Sequence, residues 1–316
     1  MKNILVTGGR GFIGFNAIRL WKSIRPDLNF VNLDAGTYAD QYKILEKNKA
    51  LDNWNVPHFV LDLSSDKAPE SISSIVQTFD IDTMVLFAAE SHVDNSINSP
   101  CTFFQSNIIG CINCLEIARK FNLRVHYVST DEVYGITTPN DYIDECSPLK
   151  PSSPYSSSKA SADLICQSYW KTYGLNVTIS RCCNNFGEFQ AEEKFIPTVL
   201  RKLKAGEKIP VYGDGKQYRQ WIYVDDHNSA ILDILENGIP GKIYNVSSNK
   251  IGYMQNLDVI SFFAEEYGKN PKSVIEFVKD RPGHDTSYFI SNYKNIEYTK
   301  EYLKSCLLKT LKFYDS

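Results

Sequence analysis

Long apolar runs are missing from this chain of 316 residues. None approaches the ~20 consecutive apolar residues that a membrane-spanning helix needs. An excess of one charge is missing too: 34 Lys and Arg stand against 37 Asp and Glu, a formal net charge of −3. That balance argues against nucleic acid or an anionic membrane as the main partner. The opening Met-Lys-Asn-Ile-Leu-Val-Thr enters an apolar segment directly, without the basic region and cleavage site of a secretory signal. No internal repeat, low-complexity tract or long polar linker interrupts the chain. Cysteines Cys101, Cys111, Cys114, Cys146, Cys166, Cys182, Cys183 and Cys306 show no disulfide-framework spacing. Cys111-Ile-Asn-Cys114 has no second pair and lies in a helix-like stretch, so these side chains read as small buried hydrophobes, and no metal site is expected. Together these absences lead to the expectation of a soluble cytoplasmic protein.

What is present is a globular composition, 43 % hydrophobic and 22 % charged, which excludes a disordered chain. The length suits one large or two modest domains. Strands are expected at Asn3–Thr7, Asn29–Leu33, His58–Leu61, Thr83–Phe87, Arg124–Ser129 and Asn176–Ser180. Helices are expected near Phe12–Ser23, Glu70–Thr78, Thr102–Lys120 and Tyr155–Tyr173. Continuously apolar strands alternating with helices indicate a parallel sheet covered on both faces. After about Phe186 the pattern changes: helices near Phe195–Ala205, His227–Glu236, Leu257–Tyr267 and Ile296–Tyr314 are separated by short strands such as Lys208–Tyr212 and Lys242–Val246. The expected organisation is a dinucleotide-binding domain over 1–185, with returns near 218–248, and a smaller α/β substrate lobe over 186–316.

The first strand runs into Gly8-Gly9-Arg10-Gly11-Phe12-Ile13-Gly14. Glycines 8, 11 and 14 let the backbone turn tightly and approach a pyrophosphate at a helix N-terminus, as in a Rossmann-type doubly wound fold. A glycine pattern alone is weak, but here it ends the first strand and opens a helix, which is the context the motif requires. The second strand ends at Leu33-Asp34; an acid there accepts from ribose hydroxyls and repels a 2′-phosphate, favouring NAD over NADP. Asp62-Leu63, after the third strand, are candidates for the adenine edge.

Tyr155-Ser-Ser-Ser-Lys159 opens a helix after Pro154, with the two functional residues one turn apart on one face. A neighbouring ammonium is expected to lower the phenol pKa from its usual ~10, so that tyrosinate can take a hydroxyl proton. The fifth strand ends in Ser129-Thr130-Asp131-Glu132, at the carboxyl edge where such sheets bind ligands. Thr130 is placed to hydrogen-bond the hydroxyl being oxidised. Adjacent Asp131 and Glu132 exceed what oxidation by a tyrosine needs. One acid and one base with separated pKa values are what an elimination of water requires.

These residues carry a resemblance to the extended short-chain dehydrogenase/reductase family, and within it to the nucleoside-diphosphate-sugar 4,6-dehydratases. The matching segments are Thr7–Gly14, Asp34–Ala39, Ala88-Ala-Glu-Ser-His92-Val-Asp94, Ser129–Gly135 and Pro151–Lys159. They continue through Arg181–Asn185, Glu193–Pro197, Tyr223–His227 and Asp280–Asp285. The resemblance implies that NAD is held by Gly8, Gly11, Phe12, Ile13, Gly14, Asp34, Asp62, Leu63, Ala88, Tyr155 and Lys159. It implies that Tyr155 takes the sugar 4-hydroxyl proton, that Glu132 removes the C5 proton, and that Asp131 protonates the departing 6-hydroxyl. Hydride taken from C4 returns to C6, giving a 4-keto-6-deoxy sugar with NAD regenerated. His92, Asn185, Lys194, Arg219, Asn245, Arg281 and His284 match positions that hold the nucleotide sugar, an arginine suiting a diphosphate through its planar fork. A homodimer paired through the helices near Thr102–Lys120 and Tyr155–Tyr173 is implied as well. His58 and His126 have only strand positions to recommend them.

The acid pair separates this reaction from its neighbours. UDP-galactose 4-epimerases lack it, decarboxylases of the family resemble Thr-Ser-Glu, and inverting dehydratases carry lysine where Glu132 stands. A keto reductase would consume added NADH, and a non-catalytic binding protein would be expected to have lost part of the Thr130, Tyr155, Lys159 set. The substrate lobe departs from the family pattern. Asn184-Asn185-Phe-Gly-Glu-Phe-Gln-Ala-Glu-Glu193 replaces a loop that usually reads Gly-Pro-Tyr and Phe-Pro-Glu, a glycine pair is absent from 244–248, and Tyr293–Tyr302 replace a Leu-Gly-Trp segment. The resemblance implies dTDP-glucose as substrate, with UDP-glucose and UDP-N-acetylglucosamine as alternatives, and these departures bear on the substrate and not on the reaction.

Overall fold

The apolar runs of the first half become strands buried on both faces, because side chains alternate across a strand and both sides here meet helices. In β1 (Asn3–Thr7), Ile4 and Val6 face one layer and Leu5 the other. The structure, a computed structural model, describes residues 1–37, 40–52, 54–141, 143–280, 283–293 and 296–316. The remaining strands described are β2 (Asn29–Asp34), β3 (His58–Val60), β4 (Thr83–Leu86), β5 (Arg124–Thr130), β6 (Val177–Cys182), β7 (Asn184–Phe186), β8 (Ile209–Tyr212), β9 (Tyr218–Tyr223), β10 (Ile243–Val246), β11 (Tyr253–Gln255) and β12 (Ile275–Val278). The helices in the first half are α1 (Phe12–Ile24), α2 (Tyr42–Lys47), α3 (Ala68–Thr78), α4 (Val93–Asn98), α5 (Pro100–Phe104), α6 (Gly110–Phe121) and α7 (Pro154–Tyr173). Those in the second are α8 (Phe195–Ala205), α9 (Val224–Asn237), α10 (Asn256–Glu266), α11 (Pro271–Val274) and α12 (Lys300–Asp315).

Seven strands form one parallel sheet in the order β10-β6-β5-β4-β1-β2-β3. The order reverses between β1 and β4, which opens a crevice at their carboxyl ends. One face of the sheet packs Ala17, Ile18 and Trp21 of α1 with Ile231 and Ile234 of α9. The opposite face packs Ile72 of α3, Leu115 and Ala118 of α6, and Ala162 of α7. Each of these leucine and isoleucine side chains contributes roughly 1.5–3 kcal/mol by leaving water. Trp21 also donates its indole N–H to the Asn228 carbonyl at 2.8 Å, tying α1 to α9.

The second lobe shares the first of these cores, through Leu200 and Leu203 of α8, Ile260 and Phe263 of α10, and Leu303 and Leu307 of α12. β10 joins the large sheet beside β6. The 218–223 strand does not: β9 pairs with β7 and β11 in a separate three-stranded sheet. β8 and β12 pair in a parallel two-stranded sheet.

The long helix expected over Thr102–Lys120 is α5, a π turn over Gln105–Ile109, and α6. The extra residue of the π turn turns Asn107 inward, where its amide donates to Glu90 O at 3.0 Å and Ser158 Oγ at 2.8 Å and its oxygen accepts from Glu90 N–H. The last helix begins at Lys300 rather than Ile296, because Thr299 caps it by accepting from Tyr302 N–H. Among the described residues no helix is long and apolar enough to cross a membrane.

Candidate active site

The crevice at the β1–β4 switch is floored by the glycine turn. A Cβ on Gly14 would stand 2.4 Å from Gly8 O, and one on Gly8, whose φ is +73°, would stand 2.7 Å from Ala88 N. Only glycine lets the turn fold onto itself and leaves its backbone open to a ligand. No side chain caps α1 and no acid lies in its first turn, so its N-terminal N–H groups are unclaimed by the protein's own carboxylates. At the end of β2 the buried Asp34 carboxylate accepts from Arg10 N–H at 3.1 Å and Gly36 N–H at 3.0 Å, and burial raises its pKa. A phosphate-sized cradle and a fixed acceptor one strand away fit the pyrophosphate and ribose of a dinucleotide.

One cleft runs from this cradle to the end of β5. Gly8, Gly11, Phe12, Ile13, Gly14, Asp34, Asp62, Leu63 and Ala88 line it, as do Thr130, Asp131, Glu132, Tyr155 and Lys159. Asp62 is oriented by Ser64, whose N–H donates to it at 2.9 Å. Ser153 caps α7 in a capping box with Ser156, and Pro154 supplies the first helical φ, which places Tyr155 at the start of the helix against β5.

Asp131 is 2 % exposed and its Oδ2 has no hydrogen-bond partner, while Oδ1 accepts from the Thr130 hydroxyl at 3.2 Å. Burial first, and then the neighbouring Glu132 carboxylate, push its pKa up to about 8. Asp131 therefore carries its proton at neutral pH. The half-buried Glu132 sits beside it, its N–H donating to Thr130 Oγ1 at 3.3 Å.

Lys159 does not do what its spacing suggests. Its ammonium donates to the Val128 carbonyl at 2.7 Å and lies 4.2 Å from the Tyr127 ring centroid, and burial lowers its pKa to about 8. The expected lowering of the Tyr155 pKa is absent: burial first, then Glu132, hold the phenol well above its usual value, against the pull of the Thr130 hydroxyl. Helical spacing sets where Cβ atoms lie, whereas the buried carbonyl decides where the ammonium goes. Tyr155 thus rests as a neutral phenol.

The substrate set divides. Asn185 and Lys194 line the cleft, and Lys194 Nζ donates to Ser91 O at 3.1 Å. Arg219 is buried over the Tyr288 ring, 4.5 Å from its centroid, donates to Asp285 O at 3.0 Å, and is close enough for its charge to act on Asp131. His92 caps α4 through Asn95 N–H, and His284 bonds Asp280 at 2.6 Å. Asn245 is a correction. It has no exposed surface, accepts from the Tyr134 hydroxyl at 2.8 Å and donates to Ser291 Oγ at 3.0 Å, so both ends of its amide are spent within the protein. Arg281 lies outside the described residues. His126 is buried between Thr178 and Ser180, and burial lowers its pKa to about 3, a neutral core imidazole.

Ser106, on the π turn, along with Ser91 and Gln190, lines the cleft without having been singled out from sequence. Ser91 neighbours His92 in a matched segment and could have been found there. Ser106 lies in no matched segment and gave no such signal.

The family model described as the NAD dependent epimerase/dehydratase family matches residues 4–247. A protein of Xanthomonas campestris pv. campestris named dTDP-glucose 4,6-dehydratase is 40% identical over 313 residues, 93% of this chain and 86% of that protein. A crystal structure of a dTDP-glucose 4,6-dehydratase from Bacillus anthracis in complex with NAD superposes with a TM-score of 0.88 at 36% identity, covering 100% of this chain and 97% of the other. One from Streptomyces venezuelae, also with NAD bound, gives a TM-score of 0.89 at 34% identity over 99% of this chain and 97% of that chain.

Proposed function

The chain belongs to the NAD dependent epimerase/dehydratase family, and from that premise we propose that it is an NAD-dependent dTDP-glucose 4,6-dehydratase. The observation that carries this reading is the buried, proton-bearing Asp131 next to Glu132 in the same cleft as Tyr155 and the glycine cradle. An enzyme that only oxidised and re-reduced C4 would have no use for an acid held neutral beside a second carboxyl group.

Gly8, Gly11, Gly14, the start of α1 and Asp34 would hold the dinucleotide. Bound NAD supplies two-electron chemistry, oxidation of the sugar at C4 and reduction at C6 after water has left, and brings a cationic ring to the site. Tyr155 first gives its own proton to solvent, which the positive charges of a bound nicotinamide ring and of Lys159 would favour, and as tyrosinate it takes the 4-hydroxyl proton, with Thr130 hydrogen-bonded to the same oxygen. The 4-ketone acidifies C5–H, and Glu132 removes that proton. Asp131 gives its proton to the 6-hydroxyl, which leaves as water. Lys159, anchored on Val128 O, keeps a positive charge one helical turn from the phenol. Arg219 and Lys194 are the cations on the diphosphate side, with Asn185 beside them.

A homodimer is part of the proposal. Phe104 of α5, Ile109 of the π turn, and Leu164 and Tyr173 of α7 are exposed apolar side chains on the two neighbouring helical segments expected to pair. The eight free cysteines, including buried Cys111 and Cys166 with sulfurs 3.7 Å apart, favour a reducing compartment such as the cytoplasm. Domain roles follow the cleft: the large sheet binds the cofactor, and residues from 186 onward bind most of the nucleotide sugar.

The test is mass spectrometry after separate incubation with dTDP-glucose, UDP-glucose and UDP-N-acetylglucosamine, without added reductant. Loss of one water from dTDP-glucose is expected, and Glu132→Gln should retain NAD yet abolish that loss. Water loss from a UDP sugar alone would move the substrate assignment, and NADH consumption would replace dehydration with reduction.

A further inference from the structure

Loop 187–190 joins β7 to the residues that line the substrate end of the cleft, and its backbone is strained. Phe189 has φ +65°, a left-handed conformation that a bulky side chain rarely adopts. Contacts from α12 and α1 hold it there. The Phe189 ring lies 4.6 Å from the Phe313 ring and 5.0 Å from that of Phe15. The Tyr314 hydroxyl donates to Gln190 O at 2.6 Å, and Asn16 Nδ2 donates to Glu188 O at 3.0 Å. The Glu188 carboxylate accepts from the Tyr223 hydroxyl at 2.6 Å and pairs with Lys309 Nζ at 3.2 Å.

The loop delivers two buried acceptors to the cleft. Gln190 Nε2 donates to Asn185 O and Asn185 Nδ2 to Cys183 O, which leaves Gln190 Oε1 and Asn185 Oδ1 without partners in the cleft wall. Both residues are less than a tenth exposed. Such acceptors await hydrogen-bond donors on a ligand, and a sugar nucleotide offers several.

We propose that the end of α12 positions the substrate loop: Lys309, Phe313 and Tyr314 clamp 187–190 with Phe189 left-handed, so that Gln190 and Asn185 meet the donors of the nucleotide sugar. This rests on the dehydratase reading. The three α12 residues lie outside the cleft lining and are positioning residues, not catalytic ones. The departures at Glu188 and Phe189 thereby acquire a partner, since both side chains are met by α12.

The test is steady-state kinetics with dTDP-glucose on Tyr314→Phe, Phe313→Ala and Lys309→Met, with amide exchange across 187–193 on the same samples. Losing one hydrogen bond at Tyr314 should raise KM about 5-fold with kcat unchanged, since ordinary bonds of this kind are worth about that factor. Phe313→Ala should raise KM further, and exchange at 188–191 should accelerate while NAD stays bound. A folded Tyr314→Phe with wild-type KM and exchange overturns the proposal, as does a fall in kcat at constant KM. Should Phe313→Ala fail to fold, Tyr314→Phe and Lys309→Met still decide the matter. Wild-type protein inert toward dTDP-glucose, UDP-glucose and UDP-N-acetylglucosamine alike would defeat the dehydratase reading instead, and the exchange comparison would still report on the clamp.

Discussion

Asp131 and Glu132 are adjacent in the chain, yet they sit in different environments. The strand ends at Thr130 and a single 3-10 turn follows, burying one carboxyl and leaving the other half-buried. That asymmetry, set by burial first and by the neighbouring carboxylate second, separates an acid from a base. It also sets a pH dependence. Under the proposed mechanism Asp131 acts protonated and Lys159 acts charged, both with pKa values of about 8, so each would have to keep its proton for turnover. The rate should fall as pH rises through about 8, limited by both groups. Asp131→Asn should lower kcat about 100-fold or more. Its remaining alkaline limb should depend on the loss of one proton instead of two. A pH–kcat profile for both proteins checks this; an unchanged two-proton limb in the variant would remove Asp131 from it.

At the scale of elements, α7 does more than carry Tyr155 and Lys159. Asp163, on the same helix, forms a two-pronged pair with Arg181 of β6 at 2.8 and 3.0 Å, with both side chains almost fully buried. Burial alone would lower the Arg181 pKa, and Asp163 more than reverses it, so the guanidinium stays charged. Arg181 continues to the Tyr134 hydroxyl at 2.7 Å, and Tyr134 to Asn245 of β10. The network therefore fixes α7, β6, the acid-bearing turn and β10 together. That explains why Asn245 is bound inward. Asp163→Asn would strand a buried charge, and such losses cost about 3–5 kcal/mol. Urea unfolding should show that loss in midpoint, with the slope against denaturant unchanged.

For the whole molecule, the exposed apolar residues on α5, the π turn and α7 predict association. Sedimentation at micromolar concentration should find a dimer, and Leu164→Glu should shift it toward monomer while leaving NAD bound. A wild-type monomer at that concentration would remove the dimer.

The large sheet was legible because its information is local. A strand buried on both faces needs a continuous apolar run, a glycine turn needs glycine, and a helix start needs Ser153 and Pro154, so β1, α1, β5 and α7 lie within a residue or two of where the sequence puts them. The cofactor cradle and the acid pair follow from such runs, since the sheet topology brings strand ends to one crevice. What depends on distant partners was not legible. The π turn answers to Glu90 and Ser158, the Lys159 ammonium to Val128 O, and Asn245 to Tyr134 and Ser291. The separate β7-β9-β11 sheet answers to pairings between short strands far apart in sequence. Short-range periodicity thus determined the scaffold and the residue types of the chemistry. Only tertiary structure decided which polar atoms are spent on the protein itself and which remain for a ligand, because buried hydrogen-bond partners are chosen in three dimensions.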